Sequence, residues 1–246
     1  MNLKKLLLTI LVLVVLAACG GAGYLYISLN SLVKDAVITG GGRITGTEVT
    51  LTSASLSPFS GSGELTGLVI GNPEGFKGPY ALRFGSIQVH VDGSTLLKNP
   101  IIVDAIVIRN PSLCLIGTPF GNNLGKLQRN MRESSGKSEE QVSPKGKSPR
   151  KFLVREIRIT GGSLRVIAGA LDQSISQTLS LPDITLRNVG SDGSGVSGSE
   201  LASQIMVPMI TGALREGITV LGKQGLKELQ SRGVNELQKV LPGLFK

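Results

Sequence analysis

"VDAIVIRNPSLCL" runs from Val103 to Leu115, and "VREIRITGGSLRV" runs from Val154 to Val166. Each copy reads Val, two residues, Ile, one residue, Ile, a dipeptide of turn-forming residues, then Ser-Leu. A strand with one wet face places apolar side chains at every second position. These stretches do so and then skip. Val103 is followed by Ile106 and Ile108, and Val154 by Ile157 and Ile159. The skip recurs at Leu65–Leu68–Ile70, at Phe84–Ile87–Val89–Val91 and at Leu181–Ile184–Leu186. A step of three reverses the face of a regular strand. One extra residue, as in a β-bulge, restores the face and bends the strand. The rhythm predicts bulged strands whose aliphatic residues share the inner side of a curled sheet. Arg109, Arg155, Arg158, Gln88 and His90 then face water. The dipeptides Asn110-Pro111, Gly161-Gly162 and Asn72-Pro73 read as tight turns. Each unit is then a strand, a turn and a returning strand, which together make an antiparallel meander.

Around these copies the chain divides by pattern. Short apolar alternation predicts strands at Glu48–Ser57, Gly63–Gly71, Tyr80–Asp92, Ile101–Arg109, Ser112–Ile116, Phe152–Thr160, Ser163–Ala168 and Thr178–Asn188. "NNLGKLQRNM", Asn122 to Met131, reads as a short helix. "NSLVKDAVI", from Asn30, reads as a helix stopped by Gly40-Gly41-Gly42. Residues 132–151 are charged, Ser-rich and almost free of apolar side chains, which marks a linker between groove segments 31–131 and 152–190. Residues 191–199 are a second spacer. Residues 200–246 carry apolar positions at a helical period, with Pro208 and several glycines expected to kink or divide the helix.

The amino terminus carries a separate signal. Lys4-Lys5 precede the uncharged run Leu6–Leu29, which is long enough to cross a hydrocarbon core of about 30 Å as a helix. Residues 1–30 are therefore expected to be a transmembrane anchor in the inner, cytoplasmic membrane, with the rest of the chain periplasmic. A rival reading lies within the run. Leu16-Ala17-Ala18-Cys19 resembles a lipobox, in which case residues 1–18 are a signal and Cys19 carries lipid. The apolar stretch after Cys19 favours the uncleaved anchor.

The totals exclude several chemistries. The chain has 246 residues, a formal net charge of +9 and 4% aromatic residues with no Trp. The basic residues are scattered, and the densest stretch, Lys145 to Lys151, has no aromatic partners on which bases could stack. No nucleic acid is expected, and attraction to acidic lipid headgroups accounts for the charge equally well. Two cysteines and one histidine, His90, support neither a disulfide framework nor a metal site. "GITVLGKQ", from Gly217, lacks the Ser or Thr that a phosphate loop places after its Lys. No catalytic residues, cofactor or metal are expected, and the chain does not read as an enzyme.

The segments "LVKDAV", "GTEVTLTSASLSPFSGSGELTGLVIGNPEGF", "SIQVHVD", "IIVDAIVIRNPSL" and "GNNLGKLQRN" together resemble the AsmA-like proteins of bacterial envelopes. The resemblance implies an inner-membrane anchor, a periplasmic β-groove with an apolar interior and a part in handling envelope lipids. The expected fold is α+β and mainly antiparallel β. It comprises an N-terminal transmembrane helix, a curled, bulge-rich meander forming a groove, and C-terminal amphipathic helices. The expected lining is Val49, Leu51, Leu68, Ile70, Ile87, Val89, Val91, Ile106, Ile108, Ile157 and Ile159, and the expected partners are membrane lipids. A second reading is a structural or assembly factor that contacts other envelope proteins through sheet edges or the terminal helix.

Overall fold

A computed structural model describes residues 29–57, 60–118, 121–135, 150–168, 175–191, 194–217 and 219. Its strands mostly come in pairs separated by two or three residues. In chain order they are β1 (Val49–Thr50) with β2 (Ser53–Ser57), β3 (Ser62–Thr66) with β4 (Val69–Ile70), and β5 (Leu82–Arg83) with β6 (Ser86–Val91). β7 (Ile101–Arg109) with β8 (Ser112–Thr118), the short β9 (Gly121–Asn122), β10 (Phe152–Thr160) with β11 (Ser163–Ala168), and β12 (Ile175–Ser180) with β13 (Ile184–Val189) follow. One member of each pair lies in an upper sheet of order β1-β4-β5-β8-β11-β12, where β9 also pairs with β8. The other lies in a lower sheet of order β13-β10-β7-β6-β3-β2. Read pair by pair, the two orders coincide. The molecule is built on six long passages of chain, side by side, each bent at one point.

The bend explains the dipeptides. Asn110-Pro111 and Gly161-Gly162 are not reversal turns, because β7 and β8 do not pair with each other, nor do β10 and β11. The strand continues through the corner, and so does its ladder: Asn110 N–H donates to Thr160 O at 2.9 Å, and Ser163 N–H to Pro111 O at 2.9 Å. A two-residue hairpin of the favoured primed kind needs a positive φ at its first central position, and at both in type I′. Here Asn110 has φ 50° and Pro111 is locked near −65° by its ring, which rules out type I′, and because the ladder bonds go to the neighbouring passage the chain turns a corner and goes on. Gly161, at φ 67°, makes the same corner in the next passage.

The two quoted stretches lie next to each other, and they run parallel. Val154 pairs with Val103, Ile157 with Ile106 and Ile159 with Ile108 in the lower sheet. Beyond the corner, Ser163 pairs with Ser112, Leu164 with Leu113 and Val166 with Leu115. The rhythm is written twice because the copies pack in register, residue against residue. This corrects the expected antiparallel meander, since both sheets are mixed. Parallel neighbours need a crossover of a dozen or more residues, and the chain between β8 and β10 supplies it, including α2 (Asn123–Ser135).

The step of three has two causes. At Val103–Ile106 it is a bulge. His90 pairs with Ala105 and Val91 with Val103, which leaves Asp104 displaced. Arg155 is likewise skipped between Val154 and Glu156 in the parallel ladder. Val103, Ile106, Ile108, Val154, Ile157 and Ile159 are consequently all buried on the inner face. At Leu65–Leu68, Phe84–Ile87 and Leu181–Ile184 the extra residue falls at the corner between sheets. Gly67 there has φ 67°, and a Cβ on it would fall on the Thr52 side chain.

Three helices among the described residues pack on or beside this frame. α1 (residues 29–45) runs along the β1–β2 edge. Asn30 Oδ1 accepts from Leu56 N–H at 2.9 Å, and Lys34 Nζ donates to Thr52 O at 3.0 Å. These side chains bind backbone groups that an edge strand leaves open. α1 does not stop at Gly40-Gly41-Gly42. Gly41 lets it approach β1, where a Cβ would be 3.2 Å from Val49 Cγ1. Gly46, at φ 64°, ends it with its N–H on Gly42 O at 2.8 Å. α2 packs on β8 and β9 and buries Leu124, Leu127 and Met131 completely. α3 (residues 198–217) opens with a capping box in which Ser197 N–H donates to Glu200 Oε2 at 2.8 Å and Glu200 N–H returns to Ser197 Oγ. It crosses the inner face, burying Met206, Met209, Ile210 and Ala213. Neither Pro208 nor Gly212 interrupts it.

Two further corrections follow. No helix among the described residues is long and apolar enough to cross a membrane, so the expected transmembrane helix is not part of the described fold, and the inner-membrane placement loses its footing with it. Residues 1–28, Cys19 among them, lie outside the described residues, as do residues 136–149 and 220–246.

Candidate functional site

The expected lining residues all lie on the sheets or at their corners, but they are not equally available. Val49, Leu51, Ile70, Ile106, Ile108, Ile157 and Ile159 are buried. All but Leu51 belong to the main core, together with the inner faces of α2 and α3. They hold the fold together and leave no free lining there. Burying each such side chain contributes about 1.5–3 kcal/mol. Leu68, Ile87, Val89 and Val91 pack against the same core but remain half-buried. The lower sheet therefore keeps an incompletely covered aliphatic row on β6, away from α2.

A cleft of about 850 Å³ opens at the other side of the lower sheet, between β13 and α3. Its less exposed lining, the floor, is apolar: buried Val189 and half-buried Leu186 from the strand, half-buried Val207 and Pro208 from the helix. Its rim is polar, with Thr185, Arg187, Asn188, Ser191, Ser203 and Gln204. None of the expected lining residues reaches it. The volume lies within the roughly 300–1,000 Å³ typical of small-molecule sites.

Local chemistry shapes both walls. Asn188 adopts φ 55° and Gly190 φ 83°, and the turn closes with Ser191 N–H on Asn188 O at 3.2 Å and Ser191 Oγ on the same oxygen at 2.8 Å. Gly190 must be glycine, because a Cβ would stand 2.9 Å from Phe152 O. On the helix, Pro208 has no N–H and cannot donate to the carbonyl of Gln204, one turn back. Arg187 lines the cleft, and its guanidinium Nε lies 3.6 Å from Glu156 Oε2 on the neighbouring strand.

The remaining sequence candidates do not assemble. His90 is exposed on the outer face of β6. Among the described residues no group of His, Cys, Asp and Glu could hold a metal. Cys114 points away from its leucine neighbours into a small outer cluster with Tyr80 and Ile116, and burial pushes its thiol up, against an opposing pull from Arg165. Gly217 and Thr219 are the described members of the phosphate-loop lookalike. Gly217 lies at the end of α3, where a Cβ would fall on Leu115 Cδ2, so it is a packing glycine.

Two signals in the sequence pointed toward the cleft. "SGSE", Ser197 to Glu200, is a capping box that fixes the helix start. Pro208, more than two turns into the amphipathic stretch that begins at Glu200, marks a helix wall that lacks one backbone donor. No protein-family model matches this chain, and no curated protein matches it.

Proposed function

We propose that this protein binds an amphipathic lipid, with its hydrocarbon tail on the floor of the cleft between β13 and α3 and its polar end at the rim. The observation that carries the reading is the division of that cleft into an apolar floor and a polar rim. A tail laid along Leu186, Val189, Val207 and Pro208 gains about 0.8 kcal/mol per buried CH₂. Ser203, Gln204, Asn188 and Arg187 can hydrogen-bond or charge-pair with a headgroup. Such a floor discriminates little between tails. The half-covered aliphatic row of Ile87, Val89 and Val91 offers further apolar surface. The resemblance to AsmA-like envelope proteins supports a lipid as the guest and lipid shielding or transfer as the task.

The test is native mass spectrometry of the gently extracted full chain, with binding of a fluorescent long-chain fatty acid as a second readout. We expect co-purifying lipid and saturable probe binding. Val207→Glu places a charge on the floor and should remove both while the protein stays folded. A lipid-free spectrum with no probe uptake overturns the reading.

A second reading, an assembly factor for envelope proteins, is favoured by one observation. β12 and β13 end both sheets on the same side, and no strand among the described residues pairs with their outer edge. An extended segment of another protein could add there. Crosslinks from residues 184–188 to protein, with none to lipid, would favour it.

A further inference from the structure

The end of the lower sheet carries a feature that neither the core nor the cleft uses. The connection from β6 to β7 presents Leu97 at 93% exposure and Leu96 at 37%. This loop is ordered without them. Asp92 accepts from Ser94 N–H at 3.0 Å and Ser94 Oγ at 2.8 Å. The buried Thr95 hydroxyl donates to Asp92 O at 2.7 Å and accepts from Ile102 N–H at 3.0 Å, and Lys98 N–H returns to Thr95 O at 2.8 Å. A leucine raised on a polar, well-bonded loop does no work for the fold.

The charges around it are one-sided. Arg150 Nη1 donates to Leu96 O at 2.9 Å and to Lys98 O at 3.4 Å, which fixes a guanidinium beneath the leucines. Lys151 backbone N–H binds Asn99 Oδ1 at 2.9 Å, while its ammonium donates to Ser194 Oγ at 2.8 Å. Lys98 is exposed next to Leu97. Asp92 is the carboxylate within this loop. Two cations, Lys98 and Arg150, and one anion thus flank a protruding apolar dipeptide. Leu29 and Leu32, at 39% and 68% exposure, lie on the first turn of α1, whose Asn30 reaches the same end of the sheet through Leu56.

We propose that this tip is a peripheral docking surface for an anionic phospholipid bilayer, with Leu96 and Leu97 entering the interface and Lys98 and Arg150 meeting the headgroup charge. Amphipathic surfaces bind bilayers through this combination of buried apolar area and attraction to anionic lipid. A protein partner would need a shaped counterpart, whereas a protruding leucine pair flanked by cations matches a fluid, negatively charged plane. The proposal is independent of what occupies the cleft.

The chain contains no Trp, so Leu97→Trp in the full-length protein creates a single reporter of the tip itself. That reporter reads its own depth whatever other segments touch the vesicle. With phosphatidylglycerol–phosphatidylcholine vesicles we expect a blue shift of the indole emission, loss of acrylamide quenching and quenching by lipids brominated on the acyl chain. Lys98→Glu in the same background should lower the vesicle partition constant, read from the inserted indole in a lipid titration, by at least about fivefold, the worth of one cation near an anionic surface. An indole that stays water-exposed on vesicle-bound protein overturns the proposal. Equal insertion into neutral phosphatidylcholine, or shielding by a protein without vesicles, also overturns it.

Discussion

Asp104 and Arg155 are the displaced residues of two neighbouring parallel strands, and their side chains meet at 2.6 Å on the outer face of the lower sheet. Each residue leaves its ladder so that the aliphatics on either side of it stay on the inner face. The coincidence of the two bulges makes them one feature. Both partners are about half exposed, at 41% and 59%, so the ion pair itself adds little in water.

Arg155→Ala should therefore cost no more than about 1 kcal/mol in urea unfolding. Deleting Asp104 or Arg155 singly should cost more, roughly 2–4 kcal/mol, because one strand would be regular against a bulged neighbour. Deleting both restores matched ladders between β7 and β10. The double deletion should cost less than the sum of the two, and strict additivity would show that the bulges are independent.

The corner between the sheets is equally specific. Gly161 has φ 67°, and a Cβ on it would sit 2.6 Å from Asn110 Oδ1 in the adjacent corner. Gly161→Ala should lower stability by about 1–3 kcal/mol. In an Asn110→Gly background the clash is gone, and only the backbone strain should remain. Equal penalties in both backgrounds would mean that the two corners do not touch.

Asn123 joins three parts of the fold. It is fully buried, its Oδ1 accepts from Ile116 N–H at 2.8 Å, and its Nδ2 donates to Cys114 O and Asn72 Oδ1, each at 2.7 Å. Asn123→Leu keeps the volume and strands these partners. The expected loss is about 2–5 kcal/mol, since each buried unpaired group costs about 1–3 kcal/mol. Thermal unfolding of the variant measures it.

The docking tip responds to acid in a defined direction. Hydrogen bonds from the Ser94 hydroxyl and then its backbone N–H hold the Asp92 carboxyl below the usual carboxylate range, while Arg155 and Lys98 act in the same sense and partial desolvation acts against it. A carboxyl depressed in the folded state stabilises that state above its ordinary pKa and loses the contribution as the pH falls through the folded value. Asp92→Asn should therefore loosen the loop at neutral pH, as read by hydrogen exchange at Ser94. The difference from the unsubstituted protein should vanish in acid. A difference that persists at low pH would assign it to something other than the carboxylate charge.

Much of this architecture was legible in one dimension. Alternation of Val and Ile against Arg, Gln and His fixes which face each residue of β6, β7 and β10 takes, because burial of an aliphatic and hydration of a charge are decided residue by residue. The repeated skip announced that the strands are irregular. What the sequence left open is non-local. Whether Asn110-Pro111 reverses the chain or turns a corner depends on the neighbour that receives its hydrogen bonds, and Thr160 is fifty residues away. That the two copies run parallel depends on α2 burying Leu124, Leu127 and Met131 against the upper sheet, so that the chain returns to the same end. The expected lining became core because helices distant in the chain pack on it. The cleft exists only where β13 and α3 come together. Side-chain preference is local, while pairing partner, strand direction and empty space belong to contacts between segments far apart in the chain.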